Sequence, residues 1–336
     1  MKSSQSLAAR ASAFLLFLLF LLVVSASSVE AKVTRYLTGS AADVSPALFG
    51  PAHDLGGGGT DVDAAIQWMI DQARGCTTCA TKLDVVILRS SGSNGYNDYI
   101  YAMNGVDSVE TLVITSARDA NTAAVETTVR NAEVVFFAGG DQCDYVRNFK
   151  GTRVETAVES VYARGGGVGG TSAGEAIQGE FSYDACSGSV TSSQALVNPF
   201  HRYVSFTYDF FNWANLNGIV TDSHFVTRDR MGRTMAFVAR QIRDGRATSA
   251  LGMGVEEATS VVVDKNGLAR VMGAGPAYFV LGDHAPESCE SGQPLTFSNY
   301  KIWKVAAGGT FDLRNRPTTG FYLISVTNGQ LSGDPY

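Results

Sequence analysis

Histidine is scarce in this sequence: four in 336 residues, His53, His201, His224 and His284. Any mechanism that moves protons through imidazole has only these candidates. Cysteine is nearly as rare, with five. Only Cys76 and Cys79 share a short spacing, and no second Cys-x-x-Cys or spaced histidine pair accompanies them, which excludes the common zinc sites. Positive charge is in deficit, with 26 Lys and Arg against 32 Asp and Glu. A general nucleic-acid binder would need a basic face, so that class is set aside. No apolar run reaches the ~20 residues that span a bilayer, and no Asn-x-Ser/Thr acceptor for N-glycosylation occurs. Internal repeats and long linkers are missing too. What remains is 45% hydrophobic and 17% charged, the balance of a chain that buries a core.

The longest apolar run, residues 14–24, follows Lys2 and Arg10 and precedes Ser25, Ala26 and Ser27. That order of charged, apolar and small residues is expected to be a secretory signal peptide over 1–31, cut near Ala31. The expected product is soluble and secreted, with no membrane contact after cleavage. In an exported chain Cys76 and Cys79 are expected to close a structural disulfide. Five is odd, so at least one thiol stays unpaired within the chain.

Beyond the leader, apolar runs at 84–88, 109–114 and 133–137 read as buried strands. Before, between and after them 60–73, 120–130 and 144–163 read as helices, the first opened by a capping-box-like pairing of Thr60 with Asp63. Alternation of this kind predicts an α/β fold with a mostly parallel sheet flanked by helices. Ligands in such sheets bind beyond the carboxyl ends of the strands, which singles out the loops at 90–98, 139–143 and 170–174. After 260 the pattern turns to short β-like runs. The expected organisation is an α/β domain over 32–265 with an antiparallel β-rich C-terminal extension of the same domain over 266–336.

Residues 170–174, Gly-Thr-Ser-Ala-Gly, form a G-x-S-x-G elbow that would present Ser172 on a strained turn. Gly139 and Gly140 end the preceding strand, where a backbone N–H could share an oxyanion with that of Ala173. The densest polar stretch is 222–233, with Asp222, Ser223, His224, Arg228, Asp229, Arg230 and Arg233. Three arginines at a helix start oppose the helix dipole, an arrangement that suits a bound anion; pairing with Asp222 and Asp229 is the plainer reading. A histidine base needs a carboxylate to orient it, and Glu256 or Glu257 could serve. His53 is a rival base, read more simply as a loop histidine.

Taken together, 55–59, 136–142, 169–174, 222–233 and 252–259 resemble, in order, the cyanophycinase and aspartyl-dipeptidase family of serine peptidases. The resemblance implies a class I glutamine-amidotransferase-like (flavodoxin-like) fold and a Ser-His-Glu triad of Ser172, His224 and Glu257. It implies oxyanion donors at Gly140 and Ala173, and substrate contacts from Gln142, Asp222, Arg228, Arg230 and Arg233. Metal and cofactor are not required. The implied partner is a peptide with aspartyl and arginyl groups, and a homodimer is an expected assembly. Two positions depart from the family: Ser223 replaces a glutamine, and Glu175 stands where a small or apolar residue is common. Glu175 reads as a favourable first-turn glutamate. The rival readings are an α/β-hydrolase esterase using His284 with Asp264, and a non-catalytic exported binding protein on the same fold.

Overall fold

A computed structural model describes residues 33–336; the expected signal peptide lies outside them. No helix among the described residues is long and apolar enough to cross a membrane. The chain folds as an α/β protein around two large sheets.

The first sheet has nine strands in the order Thr34–Gly39, Val106–Val113, Leu83–Arg89, Val134–Phe137, Gly167–Thr171, Ala52–Gly56, Thr259–Val263, Leu268–Gly273, Thr310–Asp312. The five strands from Val106–Val113 to Ala52–Gly56 run parallel. Helices cover their faces, so Val134–Phe137 is buried throughout and carries apolar residues at every position. Helix Asp63–Arg74 turns Ile66, Met69, Ile70 and Ala73 inward at helical spacing.

The second sheet has six strands in the order Gln330–Leu331, Tyr322–Thr327, Phe297–Val305, Ala277–Gly282, Ala250–Val255, Ile219–Asp222. It is antiparallel except for its last pair. Helix Met231–Arg243 lies on it, burying Met231, Met235 and Val238.

Three expectations need correction. The boundary at 265 falls inside a hairpin, where Asp264 Oδ1 accepts from the amides of Asn266 and Leu268. Strands beyond it extend the first sheet as well as building the second, so 266–336 completes both layers. The helix read over 144–163 is two, Gln142–Phe149 and Arg153–Ala163, because Gly151 takes a left-handed φ of 72° between them. Helix Asp63–Arg74 begins after Val62 without a side-chain cap, so Thr60 makes no capping box.

Cys76 and Cys79 are bonded as expected. A second disulfide joins Cys143 to Cys186 across 43 residues of sequence, and Cys289 is left as a buried free thiol.

Candidate active site

The two sheets bring their strand ends together at Ser172. Gly167–Thr171 runs into the short helix Ala173–Ala176, and Ser172 takes φ 56° and ψ −112° at the turn. A non-glycine residue at positive φ stores strain of roughly 1–3 kcal/mol, tolerated where the surroundings hold it. Here the Ser172 amide donates to Gly56 O at 2.9 Å, and Ser172 O accepts from the amides of Glu175 and Ala176. Gly174 is required sterically: a Cβ there would lie 2.2 Å from Phe137 O.

The second sheet supplies the candidate base. Ile219–Asp222 ends just before His224, whose amide donates to Gly57 O at 2.7 Å. The Ser172 hydroxyl donates to His224 Nε2 at 2.8 Å, and His224 Nδ1–H donates to Glu257 Oε1 at 2.6 Å. Glu256 faces the other way: its carboxylate accepts from the amides of Val226 and Thr227 and from the Thr227 hydroxyl. It therefore ties down the loop after the histidine, while its neighbour orients the ring.

Burial lowers the His224 pKa below the ordinary 6.5, the Glu257 hydrogen bond works against this, and Arg228 and Arg230 add to the lowering. The ring is thus neutral near pH 7, as a general base must be. Activity should fall on acidification through a limb that lies below 6.5. Because Arg228 helps to depress it, Arg228→Gln should shift that limb upward in a kcat/KM–pH profile; an unmoved limb would mean that His224 does not govern it.

Gly58 closes over this pair. It has φ +93°, and a Cβ on it would sit 2.4 Å from His224 Cε1 and 2.5 Å from Nε2. Gly58→Ala is expected to push the imidazole off Ser172 and lower kcat/KM by about 10²-fold, the scale of a 1 Å misplacement. Circular dichroism would report whether the fold is kept.

The turn expected to bind an oxyanion is open. Gly140 is exposed, and neither its amide nor that of Ala173 donates to a protein backbone acceptor among the described residues. Gln142 opens helix Gln142–Phe149 beside them, half-buried, with Asp141 capping through the Cys143 amide. Ser90, at the end of Leu83–Arg89, stands next to Gly140; the sequence pointed to its loop but not to this residue.

The expected substrate contacts divide into two groups. Asp222 and Arg233 are 2% and 3% exposed and hold each other, Nε to Oδ2 at 2.8 Å and Nη2 to Oδ1 at 2.5 Å. Thr234 also donates to Asp222, and Arg233 reaches Ser189 Oγ and Val190 O. Direct substrate contact from these two is corrected: their polar atoms are turned inward and occupied. Burial alone would raise the Asp222 pKa, but Arg233 brings its carboxyl below the usual range. Arg230 is half-buried, its Nη1 on Ser223 O at 2.8 Å and near Asp222 Oδ1 at 3.3 Å, and Arg228 is exposed. These two, with Gln142, remain accessible.

The rival bases are elsewhere. His53 lies in strand Ala52–Gly56 instead of a loop, fully buried, donating from Nδ1 to Val168 O and stacked on Tyr162. Burial lowers its pKa to about 4. His284 bonds Asp283 Oδ1 at 3.0 Å, and Asp264 serves the hairpin, so neither joins Ser172. No group of three or more metal-ligating side chains gathers among the described residues.

Comparison with known proteins points the same way, although no family model matches the chain. The cyanophycinases of Nostoc sp. and Trichormus variabilis are each 27% identical over 224 residues, which is 65% of this chain and 69% of theirs. That of Synechococcus elongatus is 23% identical over 65% of this chain and 64% of its own. A crystal structure of a peptidase from an acI-B1 Actinobacterium superposes with a TM-score of 0.51 at 13% identity, covering 80% of this chain and 98% of that one, a likeness of fold. The chain is thus similar in sequence to cyanophycinases and in fold to a solved peptidase, and is a hydrolase of the serine-peptidase type.

Proposed function

We propose that this protein is a secreted serine exopeptidase that hydrolyses β-aspartyl-arginine polymer of the cyanophycin type, or related aspartyl peptides, through an acyl-enzyme on Ser172. The observation that carries the reading is the unbroken hydrogen-bond chain from Ser172 through His224 to Glu257, at 2.8 and 2.6 Å. Ser172 Oγ attacks the scissile carbonyl as its proton passes to His224 Nε2. Glu257 holds Nδ1–H and stabilises the imidazolium. The amides of Gly140 and Ala173 donate to the oxyanion. His224 then protonates the leaving amine, and water, deprotonated in turn by His224, hydrolyses the acyl-enzyme.

Substrate carboxylates meet Arg228 and Arg230, with Gln142 at the polar end, and the buried Asp222–Arg233 pair holds Arg230 in place. The fold is taken as class I glutamine-amidotransferase-like, in keeping with the parallel strands that lead to the elbow. Secretion draws support from two disulfides, which persist in oxidising compartments.

The test is incubation of the protein lacking residues 1–31 with cyanophycin, β-aspartyl dipeptides and α-aspartyl dipeptides, with product masses recorded. β-Aspartyl-arginine released from the polymer, or free aspartate from a dipeptide, is the expected product. Absence of turnover on all three, with no fluorophosphonate labelling of Ser172, would sink the proposal.

A further inference from the structure

Glu175, three residues after Ser172, is fully buried, and among the described residues no group hydrogen-bonds to either carboxyl oxygen. Its helix, Ala173–Ala176, packs against Gly167–Thr171, Val134–Phe137, Gln142–Phe149 and Ile219–Asp222. The first two strands carry no titratable side chain. Gln142–Phe149 brings Asp144, Tyr145 and Arg147, with Cys143 in its disulfide. Asp222, Arg230 and Arg233 are the charges that act on Glu175.

Charge around this carboxyl is unevenly matched. Arg233 is engaged by both oxygens of Asp222. Arg230 has only an edge of the same carboxylate, 3.3 Å away, and its Nε and Nη2 meet no protein acceptor among the described residues. Two guanidiniums thus face one ionised carboxylate, provided that Glu175 keeps its proton. An isolated buried carboxylate without hydrogen bonds is costly, so the neutral acid is the stable form. Burial first, and Asp222 second, push the Glu175 carboxyl well above its usual range. Ionised, it would cancel the remaining positive charge.

We propose that Glu175, by remaining a neutral acid behind the nucleophile, leaves Arg230 uncompensated and so sets how tightly the site holds an anionic substrate group. Glu175 is a positioning residue that acts through Arg230, and the inference rests on the reading that Arg230 meets a substrate carboxylate. Its proton and the bound anion are linked. Raising the pH removes the proton to solvent and weakens the anion, while binding the anion draws the proton back.

The test uses succinate as a carboxylate probe, with affinity measured by calorimetry at about pH 6 and about pH 9, either side of neutrality. Wild-type affinity is expected to fall about tenfold across that interval, the size of a modest coupling between sites. Glu175→Gln should bind at both pH values as the wild type does at the lower one. Glu175→Met, an apolar replacement suited to a carboxyl without partners, serves if the amide does not fold. Arg230→Gln should lose the binding and its pH dependence together. No succinate binding at the lower pH, an undiminished pH dependence in both Glu175 variants, or its survival in Arg230→Gln would each overturn the proposal. Should succinate behave as expected while no aspartyl peptide is cleaved, the substrate reading fails and the role of Glu175 stands. With a cleaved dipeptide, the alkaline loss should appear in KM and not in kcat, and Glu175→Gln controls for the substrate's own amine.

Discussion

Ser172→Ala is expected to reduce kcat by about 10⁴–10⁶-fold, the cost of removing a nucleophile from a set of groups that act as a unit. The loss should not come from unfolding, since alanine at the elbow keeps the backbone and removes one hydroxyl. His224→Ala should cost nearly as much, and the double variant little more than either. Glu257→Gln is expected to lose about 10³–10⁴-fold, because an amide cannot match the carboxylate in fixing the Nδ1–H tautomer and stabilising the imidazolium. Glu256→Gln is the contrasting neighbour. It weakens the tie to Val226 and Thr227 without touching the ring, so its loss should stay within about tenfold, the effect of a partly retained hydrogen bond. His284→Ala should be silent. Initial rates and fluorophosphonate labelling of all six decide the matter, and an inactive His284→Ala beside an active His224→Ala would restore the esterase reading.

Asp222→Ala is expected to be the most destabilising single change in the site. The carboxylate accepts from Arg233, Arg230 and Thr234 while 2% exposed. Removing it strands a buried guanidinium, which costs about 3–5 kcal/mol. Asp222→Asn keeps two polar atoms and should cost less. Because the folded carboxyl titrates below the ordinary aspartate value, its contribution is complete above that value. It is lost as pH falls through the lowered folded one. Denaturant unfolding of the wild type and both variants would measure this; a shift in Asp222→Ala below about 1 kcal/mol, the size of an exposed pair, would show that the pair is not buried in solution.

The elbow at Ser172 was legible because its signal is local: Gly170 and Gly174 bracket Ser172 within five residues, between a recognisable strand and helix. Its partners were not legible in that way. His224 lies 52 residues on and Glu257 another 33, each positioned by strands of the second sheet. Spacing alone left both glutamates open, and family resemblance chose between them. For Arg233 the residue pattern leaves open an external anion or pairing with Asp222, and the resemblance favours the first. The anion is internal, and Asp222 supplies it from the neighbouring strand. The usual preference for a first-turn glutamate assumes an exposed turn, whereas Ala173–Ala176 is sandwiched between layers, so nothing local in the sequence marks Glu175 as buried. The chain reversal after 265 was missed for a related reason: a hairpin turn and a domain edge look alike when only turn residues are visible.

The Cys143–Cys186 bond makes the stretch of chain that carries Ser172 a closed ring. The ring opens just after the oxyanion turn and includes strand Gly167–Thr171, Ser172 and its helix. Closing 43 residues in this way restricts the unfolded chain by about 4 kcal/mol on the entropic account. A protease that nicks the ring at one surface bond would not set the nucleophile adrift. The two pieces would migrate as one until a reductant was added, so a first cut leaves the Ser172 elbow tied to the rest of the chain.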